Sequence, residues 1–109
     1  MNLEEYQKLS RETAQYPDKG ANFVYPTLGL SGETGEVAEK IKKILRDYGG
    51  VVDETRRTEI MKELGDVLWY LAQLATELGL SLEEVAEANL AKLASRQKRG
   101  MIGGSGDDR

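Results

Sequence analysis

Apolar residues recur at intervals of three and four along almost the whole chain, with no convincing two-residue alternation and no internal repeat. The spacing predicts a first helix from about Leu3 to Gln15, capped by Asn2 with Glu5 three positions on, and with Leu3, Tyr6, Leu9 and Thr13 on one face. Pro17, Gly20 and Pro26 punctuate the stretch that follows. A second helix starts between Pro26 and Gly32 and continues to about Tyr48, with Leu30, Val37, Ile41, Ile44 and Tyr48 as its inner stripe; Gly49-Gly50 ends it. The third begins between Asp53 and Thr58 and runs to Leu78, along a stripe of Ile60, Leu64, Val67, Leu71, Ala75 and Leu78, with Gly79 suited to the position after its end. Ser81 with Glu84 forms a capping box for a fourth helix that turns Leu82, Val85, Ala86 and Leu93 inward. Four helices with short connections predict an all-α, four-helix bundle-like domain over residues 1–99, followed by a flexible, Gly-rich tail over residues 100–109.

Composition narrows the chemistry. At 109 residues and 39% hydrophobic content the chain supports one small core, and self-association is the expected way to bury more surface. Lys and Arg number 15 against 19 Asp and Glu, a formal charge of -4, which leaves no surplus to hold a nucleic-acid backbone. The longest strictly apolar run, Val67 to Ala72, is too short to cross a bilayer, and the acidic N-terminus is unlike a signal peptide, so no membrane partner and a cytoplasmic location are expected. There is no cysteine and no histidine. Thiolate nucleophiles, disulfides, Ser-His-Asp chemistry and nearly every transition-metal site are thereby excluded. What remains is carboxylates, hydroxyls, Lys, Arg and hard metal ions.

The acids are arranged as if for such an ion. Glu33 and Glu36 are three apart, so they occupy adjacent turns of one surface, roughly 60° and 120° from the apolar centre at 100° per residue, while Glu39 points outward. Glu63 and Asp66 repeat the spacing on the third helix, with Tyr70 one turn beyond. Like charges three apart on a helix repel. One such pair is commonly a solvated face, with Lys40 and Lys43 as surface partners; two pairs bordering apolar stripes on consecutive helices point to converging carboxylates, which must protonate, pair with cations or bind metal. An all-oxygen set selects Mg²⁺, with Mn²⁺ as a possible substitute.

On the fourth helix Asn89 falls near the middle of the apolar stripe, and Lys92, Arg96 and Arg99 follow along one edge. Either Asn89 bonds backbone and the cations lie in solvent, or the ridge faces the bundle and serves a polyphosphate. Gly32, Gly35 and Gly65 interrupt the acid segments, either at a frayed helix start or for close approach of a helix or ligand.

The runs LGLSGETGEVAEKIKK (28–43), ELGDVLWYLAQLATELG (63–79) and ANLAKLASR (88–96) resemble the MazG-like nucleoside triphosphate pyrophosphohydrolases of the all-α NTP pyrophosphatase superfamily. The family pattern, E-x-x-E followed by E-x-x-D, is filled in order by Glu33, Glu36, Glu63 and Asp66, and the resemblance covers roughly residues 24–99. It implies a helical bundle assembled as a dimer or tetramer, Mg²⁺ held by those four acids, and cleavage of a nucleoside triphosphate to monophosphate and pyrophosphate. It also implies substrate contacts by Tyr70, Asn89, Lys92 and Arg96. Tyr16, Phe23 and Tyr25 are aromatic candidates for the base side. Glu33 or Glu36 is the expected catalytic acid that orients water. Two other expectations fit the same residues: a related hydrolase acting on dUTP, dCTP or phosphoribosyl-ATP, and a non-catalytic helical oligomerisation or regulatory module.

Overall fold

The computed structural model describes all 109 residues and is all-α, without strands. α1 spans Leu3–Ser10 and runs on as a single 3₁₀ turn, Arg11–Thr13. α2 is Val24–Asp47, α3 Glu54–Glu77 and α4 Leu82–Lys98.

Local chemistry explains the ends. Asn2 accepts the Glu5 N–H, Asp53 the Arg56 N–H and Ser81 the Glu84 N–H, each satisfying a first-turn donor that has no helical partner. α1 is shorter than its periodicity suggests and α2 begins two residues before Pro26. Phe23 has no capping side chain, but Asn22 Oδ1 accepts the Tyr25 N–H at 3.0 Å, and Pro26 sits in the first turn, where a missing N–H costs nothing. After α3, Gly79 turns the chain at φ 68°, and the Leu80 N–H reaches back to the Ala75 carbonyl.

α2 and α3 form an antiparallel hairpin, the largest contact in the molecule. Its register is read from facing residues: Gly29 meets Tyr70, Glu33 meets Asp66, and Lys40 meets Glu59. α1 lies on α3 and α4, while α4 touches α3 only sparsely. Gln7 ties this corner: its Nε2 donates to Thr76 Oγ1 and the Leu80 carbonyl, and its Oε1 accepts the Leu82 N–H at the start of α4.

The inner stripes are only partly covered. Ile44, Ala72, Ala75 and Leu82 are buried, together with Ala14 and Tyr16 from the loop. Ile41, Leu64, Leu78, Val85 and Leu93, expected inside, are left exposed, and so are Leu45 and Met61. The reason is geometric: α4 leans away along α1 and does not close the bundle over the hairpin. The radius of gyration, 16.7 Å, exceeds the ~13 Å of a compact domain of this length. Likewise the accessible surface, 7699 Å², stands well above the ~6,000 Å² usual for this mass.

A polar knot joins the N-terminal segment to the end of α3. The Glu77 side chain is fully covered and accepts from Arg11, Tyr16 Oη, and the backbone N–H groups of Gly20 and Asn22. Beside it Gln73 donates to Ser10 Oγ and accepts from Arg11, and the Trp69 indole donates to the Ser10 carbonyl and Thr13 Oγ1. Burial alone would push the Glu77 carboxyl up; the Asn22 N–H, the Tyr16 hydroxyl, Arg11 and the Gly20 N–H outweigh it and hold the pKa at about 2.

A carboxylate depressed from 4.5 to about 2 makes the folded state bind its proton less tightly than the unfolded chain. Its stabilisation is therefore complete above pH 4.5 and is lost as pH falls towards 2. Glu77→Ala should lower stability at pH 7 by about 3 kcal/mol, since it strands Arg11 and two backbone donors. It should also flatten the loss of stability between pH 4.5 and 2 in urea titrations; an unchanged acid limb would remove Glu77 from that role.

Candidate functional site

The hairpin register sets the acids of α2 and α3 at one height. One carboxylate oxygen from each of Glu33, Glu63 and Asp66 lies within 4.8 Å of the other two. Glu36, one turn along α2 from Glu33, is exposed and stands beside this group without joining it. Partial burial, followed by the charges of Asp66, Glu63 and Glu36, pushes the Glu33 carboxyl above its ordinary range.

Lys40 lies 3.9 Å from Glu59 and Lys42 pairs with Glu39, and no ion pair involves any of the four acids. Oxygens on opposite sides of a magnesium ion stand roughly 4 Å apart. The three acids fit such an ion with small side-chain rotations, and their all-oxygen chemistry favours a hard divalent cation.

Tyr70 lies one turn past Asp66 with its ring against the backbone of Gly29. Burial, followed by Tyr25 and the charges of Glu33 and Asp66, raises its pKa, so the hydroxyl stays protonated. Trp69 meets the ring edge-on at 5.0 Å, Tyr25 stands 6.5 Å away, and Tyr16 stacks on Tyr25 at 5.1 Å. Of the aromatic candidates, Tyr16 and Tyr25 thus join the wall beside the acids, while Phe23 remains largely exposed.

Two residues of this region escaped the sequence reading. Burial, and then the charge of Asp66, raises the pKa of Tyr6, on the helix that packs against α3. Tyr6 lay on the predicted inner face of α1, but nothing in one sequence says which acid that face meets. Gly29 was the other. The close helix approach considered for Gly32, Gly35 and Gly65 does not occur, since a Cβ on any of them would meet open space; it occurs at Gly29, one turn before Glu33.

The α4 residues are not brought to the acids of their own chain. Asn89 and Lys92 are exposed, on a shallow surface lined by Leu80, Glu84, Val85 and Ala88. Arg96 is buried, and its Nη2 donates to the carbonyls of Gly106 and Asp107 while Lys92 lies 3.3 Å from the Asp107 carboxylate. The tail folds back on α4 because a buried guanidinium needs acceptors, and residues 106–107 supply them.

Protons and a divalent ion compete for Glu33, so Mg²⁺ affinity, measured by calorimetric titration, should fall as pH drops through its raised pKa, beginning above 4.5. Without metal the sign reverses for stability. A raised folded-state pKa contributes most below pH 4.5 and that contribution is lost as pH rises through the folded value. Glu63→Gln should therefore stabilise the metal-free chain at pH 7, by about 0.5 kcal/mol, and abolish the thermal shift on adding Mg²⁺.

No solved structure matches the chain. Over 72 aligned positions the chain is 36% identical to YvdC, an uncharacterized protein of Bacillus subtilis (strain 168), the alignment covering 62% of this chain and 68% of that one. The gene 37 protein of Mycobacterium phage L5 is 48% identical over 114 aligned residues, taking in 100% of both chains. The model of the MazG nucleotide pyrophosphohydrolase domain matches residues 26–101, across both acid pairs and α4, and the chain belongs to that family.

Proposed function

We propose that the chain is a magnesium-dependent nucleoside triphosphate pyrophosphohydrolase that cleaves the α–β phosphoanhydride, giving a nucleoside monophosphate and pyrophosphate and clearing nucleotides from the cytoplasmic pool. The observation that carries this reading is the convergence of Glu33, Glu63 and Asp66 with no cation among them, in a chain of the MazG family. No helix is long and apolar enough to cross a membrane. The net charge of -4 favours neither a membrane surface nor a nucleic acid as partner.

Glu33, Glu63 and Asp66 would hold the ion, with Glu36 beside them. Bound Mg²⁺, for which Mn²⁺ could substitute, would neutralise phosphate charge and polarise the scissile linkage. Glu36, exposed and outside the converging trio, is the better placed acid to orient a water for in-line attack, with Glu33 as the other candidate. As the water oxygen bonds to one phosphorus of the α–β linkage, its proton passes to that carboxylate and the bridging oxygen departs with the other phosphorus, separating the monophosphate from pyrophosphate. The protonated Tyr70 hydroxyl offers a donor at the edge of the acids.

Assembly completes the reading. The exposed stripe residues of α2 and α3, and the outer face of α4, are surface that a dimer or tetramer would bury. In such an assembly one copy's Asn89 and Lys92 would serve a triphosphate held at another's acids. Arg96 would join them only once residues 106–107 release it.

Release of pyrophosphate from a panel of canonical and modified nucleoside triphosphates with Mg²⁺ tests the activity, and a chain inert to all of them ends this reading. Glu36→Gln should lower turnover by at least about 10³-fold with the helical circular-dichroism signal intact. Full activity in that variant would remove Glu36 from the mechanism. Sedimentation should show a dimer or larger species at micromolar concentration.

A further inference from the structure

Four glycines lie within α2 and α3, where each lowers helix propensity. Around Gly32, Gly35 and Gly65 a methyl group would find open space. At Gly29 it would fall inside the Tyr70 ring, against Cε1, Cδ1 and Cζ. Gly29 precedes Glu33 by one turn on α2, and Tyr70 follows Asp66 by one turn on α3, so this contact is the next layer of the hairpin beyond the acids.

We propose that Gly29 is a positioning residue for the reaction, a gap in the surface of α2 that seats the Tyr70 ring so that its hydroxyl is held at the edge of the acid cluster. This rests on the pyrophosphohydrolase reading above. Two aromatic neighbours flank the ring. Trp69 stands against it edge-on at 5.0 Å and 89°, and Tyr25 flanks it at 6.5 Å. Tyr25 is braced in turn by Tyr16, stacked at 5.1 Å and tied through its hydroxyl to Glu77 at 2.7 Å. With these walls in place, a methyl at position 29 leaves the ring only the direction away from α2. The Tyr70 hydroxyl and the bound substrate then lose their register, whereas the acids, a full turn away, keep theirs.

Helix propensity alone predicts that Gly29→Ala stabilises the chain, as Gly32→Ala should. The slot predicts the reverse for Gly29→Ala: a lower Tm than wild type, and an altered emission from Trp69, the single tryptophan of the chain. In activity, Gly29→Ala should raise KM for the triphosphate about tenfold or more while the Mg²⁺ affinity is unchanged. A merely structural defect would weaken metal binding along with everything else. Tyr70→Ala closes the test as a double-mutant cycle. With the ring gone, adding Gly29→Ala should change neither KM nor Tm relative to Tyr70→Ala alone.

Wild-type KM and Trp69 emission in Gly29→Ala would overturn the slot, as would an undiminished cost of that change in the Tyr70→Ala background. A wild-type chain that releases no pyrophosphate sinks the functional reading. That failure is distinguishable, because the Tm and fluorescence arms are read without turnover.

Discussion

Mutual repulsion among carboxylates is the constraint around which the hairpin is organised. Glu33, Glu63 and Asp66 are held with oxygens within 4.8 Å of one another, and none of them is paired with a cation, while Lys40 and Lys42 pair with Glu59 and Glu39. A helix pair left to itself would rotate or slide to separate these charges. The register is held by the packing of α2 on α3, and is marked by the close fit of Tyr70 on Gly29 at one end and the Lys40–Glu59 pair towards the other. The folded chain thus stores unfavourable electrostatics at the point where a hard cation can turn it into binding energy, a common economy of functional sites.

The rigidity that this requires comes from polar contacts as much as from apolar ones. Few large hydrophobic side chains are fully covered; the densest interior is the knot of Glu77, Arg11, Tyr16, Gln73, Ser10 and Trp69. Buried polar groups favour a single geometry because each has few satisfactory alternatives. Here they clamp the otherwise irregular segment 14–23 to the end of α3, and through Tyr16 and Tyr25 they form the aromatic side of the site. Several of the apolar stripe residues, by contrast, remain substantially exposed within one chain.

Much of the architecture was legible in the residues alone. Three of the four helix starts follow from side-chain caps, and the end of α3 from Gly79, because capping is local chemistry settled within four residues. The start of α2 was misplaced because its cap is made from Asn22, one position outside the usual site. The acids were identifiable because the absence of His and Cys left carboxylates as the only ligands, and two matched pairs at three-residue spacing are hard to explain as surface.

Tertiary structure decided what depends on residues distant along the chain. Which three of the four acids converge follows from the rotation and register of α2 on α3, quantities that periodicity leaves free within a turn. That Gly29, and not Gly32, Gly35 or Gly65, marks the close approach depends on where the Tyr70 ring falls from the opposite helix. The direction of α4, which carries Asn89 and Lys92 away from the acids and sets Arg96 beneath the tail, is likewise invisible in its own pattern. A helix's sequence states which of its faces is apolar, but the surface that covers that face is chosen by the whole molecule.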